Sequence, residues 1–500
     1  MGDTISPHLE LAMTNTKVLA LAMLVLLSST RSTISTTPRL VLTHVTVIDM
    51  TGATPKPDMT VIIEGQKIIS IEGSKETLVS RDAVIVDASG KYLIPGLWDM
   101  HLHTVYGSAK ETESILLPLL VANGITGIRN PGSTISITQI NRWRQLIADG
   151  VLIGPRIFVG QQVDGPGGPN VSFVYRVKTE AEARSAVQRI KREGFDFVKV
   201  YTRLSRAAFF AAADESRRLG IPFAGHVPTS VNDGEASDAG QKSIEHLEGM
   251  LVSTSSDEGR IRQGELQYEA KLLALNGRPA PTELEDENFK FVTASLDTFD
   301  EEKARRLYAV FVRNGTYQCP TLVIHQAWAS LRHPEFFEDP RLRYIPVKHR
   351  KSVDFYLDPA RSWSTERKVV TERLFQDRLR MVSSLQRAEV ELLAGTDASF
   401  GYPVAGFALH DELGLFVQAG LTPMEALKTA TYNPAKYFGL LNSLGTVEPG
   451  KIADLVLLNA NPLDDIGNTK RIEAVIVNGR YLSRTHLDKL LIEIEAAAKR

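Results

Sequence analysis

One cysteine, Cys319, stands in 500 residues, so no internal disulfide can form and the fold must rest on packing, hydrogen bonds and bound groups. An excess of either charge is missing too. The 57 Lys and Arg against 59 Asp and Glu leave a formal net charge of -2, which gives no electrostatic case for a nucleic-acid partner. No membrane-spanning length of apolar sequence is present: the run at 18–27 stops at 10 residues, where a spanning helix needs about 20. What remains is ordinary for a globular chain, 43% hydrophobic and 23% charged. The length suits two or three domains, or one large barrel with additions.

Lys17, the apolar run and the small polar residues Ser28, Ser29 and Thr30 follow the order of a secretory signal. No Ala-x-Ala site follows, so an uncleaved N-terminal anchor stands beside the cleaved signal, and a buried helix is the bland alternative. Residues 1–37 are set apart from the fold, and the expected localisation is secreted or periplasmic. Any membrane association would run through this anchor alone.

Residues 38–94 alternate β-branched positions with short turns, and the texture returns after 450, with Gly65-Gln66 and Asn478-Gly479 as two-residue hairpin turns. The simplest assembly pairs the two ends, 38–94 and 443–486, into one small composite β-sandwich. The middle, 95–442, alternates differently: apolar runs at 97–103, 126–129, 156–160, 195–201, 222–226, 243–246, 316–322 and 391–397 each precede a helix-forming stretch. Eight such units predict an α/β fold of the (β/α)8 TIM-barrel type, with a C-terminal helix at 487–500. An open doubly wound sheet is the alternative, but no Gly-x-Gly-x-x-Gly follows the first strand. The long charged stretches 251–314 and 325–388 follow late strands and read as lids, or equally as peripheral decoration.

Polar residues that a core would reject recur at the ends of these strands. His101 and His103 close the first, Lys199 lies in Phe197-Val198-Lys199-Val200-Tyr201, His226 and His246 close the fifth and sixth, and Asp397 closes the eighth. Neutral imidazole is a good ligand for zinc and its neighbours. A bare ammonium inside a barrel is strongly disfavoured unless paired or deprotonated. A neutral lysine amine can take up carbon dioxide as a carbamate and bridge two cations, while pairing with a buried carboxylate is the bland reading. Weaker candidates for substrate contact are Tyr201, with core packing as its alternative, and His410 with Glu412, which read slightly better as the cap and first turn of the next helix. Cys319 makes a poor nucleophile, His325 reads as a helix start, and Asn170-Val171-Ser172 is a glycosylation sequon by pattern alone.

Taken together, His-x-His, the mid-strand lysine, the two single histidines, Gly395-Thr396-Asp397 and the tail 445–455 resemble the amidohydrolase superfamily, nearest its imidazolonepropionase-like and prolidase-like members. The resemblance implies a metal-dependent hydrolase of C–N bonds, with two divalent ions such as zinc. His101, His103 and Asp397 would hold one ion, His226 and His246 the other, and carboxylated Lys199 would bridge them. It implies a bridging hydroxide as nucleophile, with Asp397 as general base and then acid. A dipeptidase or N-acyl amino acid amidase acting on a small amide or peptide is the leading expectation. A mononuclear cyclic-amide hydrolase or deaminase is the alternative, and a non-catalytic ligand-binding barrel the remote one. Relatives of this architecture often form homo-oligomers, but no residue here argues an interface.

Two departures bear on the substrate. Prolidase-like members carry Gly-Gly-His-Gly after strand three and His-Ala-Tyr after strand five. Here the runs are Gly165-Pro166-Gly167-Gly168-Pro169-Asn170 and His226-Val227-Pro228, so two anchors for a free carboxylate are lost. Arg129-Asn130 ends strand two where relatives often have Arg-Asp.

Overall fold

The computed structural model describes residues 39–75, 83–104, 107–167, 173–275, 280–353, 363–399 and 401–500. The expected signal or anchor at 1–37, Pro169 and the sequon at 170–172 lie outside the described residues. The strands in chain order are β1 (Leu40–Val47), β2 (Lys56–Glu64), β3 (Lys67–Gly73), β4 (Val84–Asp87), β5 (Tyr92–Pro95), β6 (Leu97–Asp99), β7 (Ile125–Asn130) and β8 (Arg156–Asp164). They continue with β9 (Val174–Arg176), β10 (Phe197–Val200), β11 (Phe223–Gly225), β12 (Ser243–Glu245), β13 (Tyr317–Cys319), β14 (Leu455–Leu458), β15 (Ile472–Val477) and β16 (Arg480–Ser483).

Both ends of the chain meet in one sheet. Its order is β16-β15-β14-β5-β1-β2-β3, with β4 beside β1, and the antiparallel β5–β14 pairing joins the two ends. The sequence suggested a sandwich; the hydrogen-bonded path is a single mixed sheet of eight strands. Side-chain alternation gives it two apolar faces. Leu93, Leu455, Leu457 and Ile476 fill a core with Leu42 and Val61, while Ile94, Val456, Val475 and Val477 join the core of the middle region. β14 reads Leu-Val-Leu-Leu without polar interruption because both its faces are covered.

The middle strands pair in parallel, in the order β13-β12-β11-β10-β8-β7-β6, with β9 beside β8. Its edges are bridged by the segment 391–398. Gln318 N bonds to Glu391 O (2.9 Å) and Leu393 N to Gln318 O (2.9 Å) on one side, while Met100 N bonds to Ala394 O (2.8 Å) and His103 N to Ala398 O (2.9 Å) on the other. The eighth predicted strand is therefore present as isolated bridges rather than a regular ladder. Part of its backbone is committed elsewhere: Ala394 N to Thr429 O at 3.0 Å, and Leu392 O to Asn433 Nδ2 at 2.9 Å.

Crossover helices cover the sheet. Glu180–Glu193 starts on a Thr179–Glu182 capping box, buries Ala183, Ala186, Val187 and Ile190, and stops at Gly194 in the left-handed region. The insertion at 251–314 forms helices Glu258–Ala274, Thr282–Asp297 and Glu301–Asn314, and the second ends in the long helix Thr365–Arg387. The C-terminal helix starts slightly earlier than expected, at Arg484–Ala498. Among the described residues no helix is long and apolar enough to cross a membrane.

Candidate metal centre

β6 ends at Asp99, two residues before His101, so the two histidines lie on a bend rather than on the extended strand expected. They converge because Asp99 ties the bend to the closing segment. Its carboxylate accepts from His101 N (3.2 Å), Thr396 N (3.1 Å) and Thr396 Oγ1 (2.6 Å). Asp397 N then bonds to His101 O at 2.6 Å. This sets Asp397 Oδ1 3.1 Å from His103 Nε2 and 3.6 Å from His101 Nε2. The approach needs Gly395: a Cβ there would fall 2.6 Å from Cys319 Sγ and 2.7 Å from His101 Cβ.

His226 and His246 follow β11 and β12 directly. The imidazole centroids are 5.2 Å apart for His101–His103, 4.6 Å for His101–His246 and 4.8 Å for His226–His246. His246 (φ 64°) and Asp397 (φ 53°) both adopt the left-handed backbone, a region in which His and Asp are over-represented among residues other than glycine. Outer partners fix the rings. Nδ1 of His101 meets Glu245 Oε2 (2.8 Å), that of His103 meets Gly132 O (3.0 Å), and that of His246 meets Thr321 Oγ1 (2.7 Å). In these three the Nε2 edge is left for a ligand, the usual outer-sphere pattern of a metal site. His226 Nδ1 meets Thr202 Oγ1 (3.1 Å) and pairs with Glu248.

Electrostatics suit cation binding. Burial keeps His101 and His246 neutral, His246 down to about 3. Burial alone would raise Asp397, but the His103 hydrogen bond and the neighbouring imidazoles outweigh it and hold the carboxylate ionised.

Lys199 enters from β10, between Gln162 of β8 and Ala224 of β11, and is 2% exposed. Its Nζ is buried with no hydrogen-bond partner. Burial, aided by Arg129 and opposed by Glu245, pushes the amine down to about 8. Gly225 makes room for it: at φ 136°, a Cβ there would sit 2.2 Å from Val200 O and 2.9 Å from Lys199 Cδ.

Behind the histidines lies a charged network that the motif reading missed. Glu245 accepts from Arg129 (2.7 Å), Ser243 Oγ (2.6 Å) and His101, all of them buried, and Arg129 also reaches Met100 O and Tyr437. A carboxylate in Ser243-Ile244-Glu245-His246 carried the same signal as Lys199, a charge inside an apolar strand. Asn130 is bound locally, to Thr104 Oγ1 at 2.6 Å and Gly132 N at 3.1 Å.

The Tyr201 ring lies tilted against His226, with centroids 4.1 Å apart, and lines a cavity of about 730 Å³ together with Thr202, Arg203, Pro228 and Glu248. The far wall is Arg262, Glu265, Tyr268 and Glu269 of the helix Glu258–Ala274, so this insertion roofs the cavity beside His226. His410 lies elsewhere: it is 2% exposed, and its ring nitrogens meet Thr469 Oγ1 (3.0 Å) and Asn123 O (3.1 Å), a structural role that gives no support to substrate contact. Glu412 caps the helix Leu322–Ala329 by accepting from Leu322 N and Val323 N. His325 sits inside that helix with Nε2 3.0 Å from His246 O, and Cys319 is buried at the end of β13.

The donor set fits a divalent transition metal. One donor atom each from His101, His246 and Asp397 lie within 4.8 Å of one another, with His103 and His226 flanking and an unpartnered amine beside them. Residues 364–482, which include Asp397, match the Amidohydrolase family. That match covers about a quarter of the chain, and beyond it the likeness is one of fold. The chain is similar in fold to bottromycin amidohydrolase, with a TM-score of 0.69 at 23% identity over 92% of this chain and 90% of that one. It is similar also to a Xaa-Pro dipeptidase solved with bound methionine, with a TM-score of 0.61 at 20% identity over 89% and 100%. In sequence it is 32% identical over 93 residues to an adenine deaminase of Ligilactobacillus salivarius (strain UCC118), a match to 19% of this chain and 15% of that protein's length.

Proposed function

We propose that this protein is a binuclear metal hydrolase of C–N bonds in a small amide or peptide, of the dipeptidase or N-acyl amino acid amidase kind. The observation that carries the reading is Lys199: a buried amine without a partner, beside four imidazoles and Asp397. In its neutral form the amine adds carbon dioxide, forming an N–C bond and releasing one proton, and the resulting carbamate supplies the oxygens that a pair of cations needs. His101, His103 and Asp397 would hold one ion, and His226 and His246 the other. Such ions, when bound, supply Lewis acidity and lower the proton affinity of water. Asp397 takes the proton of the attacking water on its carboxylate and returns it to the departing nitrogen, so amide and water become acid and amine. Tyr201 and the helix Glu258–Ala274 wall the cavity in which the substrate lies. The apolar run at 18–27 supports action outside the cytoplasm.

The test is metal content and rescue. Zinc-loaded protein is expected to hold two equivalents by mass spectrometry, and Lys199→Ala one, with activity restored by short carboxylic acids. A protein that holds less than one equivalent defeats the reading. A one-metal deaminase or cyclic-amide hydrolase is the second reading. It is favoured by the compact His101, His246 and Asp397 group and by the short likeness to adenine deaminases, and it requires Lys199→Ala to leave metal content unchanged.

A further inference from the structure

The two insertions enclose a second cavity, of about 450 Å³, and among the described residues that line it there is no metal donor. Its apolar lining comes from three segments: Leu251 on the short helix Met250–Ser253, Leu296 and Phe299 at the end of Thr282–Asp297, and Met381 on Thr365–Arg387. Leu296 and Met381 are buried, while the Phe299 ring is 45% exposed. Backbone bonds pin the turn that carries this ring: Ser256 N to Thr298 O (2.8 Å) and Asp300 N to Thr254 O (2.9 Å).

The same cavity is lined by Arg373, Arg380 and Arg387. They stand seven residues apart on Thr365–Arg387, so they share one helix face. Among the described residues two carboxylates answer the three guanidinium groups. Asp297 binds Arg373 at 2.6 Å, and Asp377 pairs with Arg380 and lies 3.8 Å from Arg373. Arg387 has no carboxylate partner among them. It donates instead to the hydroxyls of Ser383 (2.8 Å) and Ser384 (2.9 Å), which hold the fork in place and leave its charge unbalanced.

We propose that this cavity binds a free organic carboxylate with an aliphatic body, distinct from the substrate, the body lying on Leu296, Phe299 and Met381 and the carboxylate on Arg387. The volume falls within the roughly 300–1,000 Å³ of small-molecule sites, and an apolar lining with few polar anchors is their usual make-up. The helix Met250–Ser253 forms a wall of both cavities: Leu251 lines this one and Val252 the one beside His226. A carboxylate bound across that wall, on the metal, is the competing placement.

The test titrates zinc-loaded protein, as the whole chain, with octanoate, decanoate, decanol and decylamine below their micelle concentrations, read by calorimetry. Decanoate should bind roughly 10–100-fold more tightly than decanol, and decylamine more weakly than either. Octanoate, two methylenes shorter, should bind roughly 10–20-fold more weakly than decanoate. Arg387→Met should erase the preference for acid over alcohol, and Phe299→Ala should weaken both alike. Equal binding of acid and alcohol by wild type overturns the proposal. Decanoate binding that a chelator abolishes and Arg387→Met spares overturns it too, placing the acid on the metal. Capture by phosphatidylglycerol vesicles without binding of the free acids overturns it in favour of a membrane contact. The wild-type comparison of head groups, with Phe299→Ala, decides the matter if Arg387→Met fails to fold.

Discussion

His101 Nδ1 and Glu245 Oε2 stand 2.8 Å apart, both side chains 1% exposed. The carboxylate fixes the ring so that its other nitrogen faces Asp397, and it also neutralises Arg129. Glu245→Gln keeps the shape and loses the charge. We expect metal affinity to fall roughly 10–100-fold, measured by competition with a chromophoric chelator. Glu245→Ala also strands the Arg129 cation and should cost about 3–5 kcal/mol in urea unfolding. Unchanged affinity in both variants would remove Glu245 from the site.

Gly225→Ala puts a methyl against Val200 O and Lys199 Cδ at a backbone angle that alanine resists. The expected loss is about 1–3 kcal/mol, seen as a lower midpoint in thermal unfolding. A midpoint equal to wild type would mean that β10 and β11 relax apart at no cost.

Metal removal should lower stability, because the ligands converge only in the folded chain. An ion present at 1,000 times its dissociation constant stabilises by about 4 kcal/mol. Chelated protein should therefore melt several degrees lower by calorimetry and recover on zinc addition, and His103→Ala should blunt the recovery. A melt indifferent to chelator would argue against a resident ion.

Asp233 gives a pH signature away from the centre. It is fully buried, and burial pushes its carboxyl up to about 7, with Ser253 and Arg262 pulling the other way. The native chain keeps this proton where the unfolded chain has released it. The stability it brings is complete below about 4 and is lost as pH rises through about 7. Asp233→Asn lacks that loss, so the difference in unfolding free energy between wild type and variant should shrink over this window. A difference independent of pH would contradict the raised value.

The legible part of the site was the part written as charge in apolar surroundings. Lys199 stood out because a strand core rejects an ammonium, and the four histidines and Asp397 because each closes an apolar run. Glu245 was written in the same way, yet its neighbour His246 drew the metal reading to itself. Thr321 and Gly132 could not be foreseen, since they hold their rings from segments far apart in sequence. For His410 the sequence shows position and not direction, and its helix turns the ring toward Thr469. The eighth strand was legible as an apolar run, while its broken ladder depends on Thr429 and Asn433, which arrive from the following helices.

The stitch between Asp397 N and His101 O has a consequence for ageing and heat. The seam that shuts the parallel sheet and the carboxylate proposed to move protons are one stretch of backbone. Loosening that seam would scatter the donor atoms at the same moment as it opens the sheet, so inactivation and loss of tertiary structure should run on a single clock.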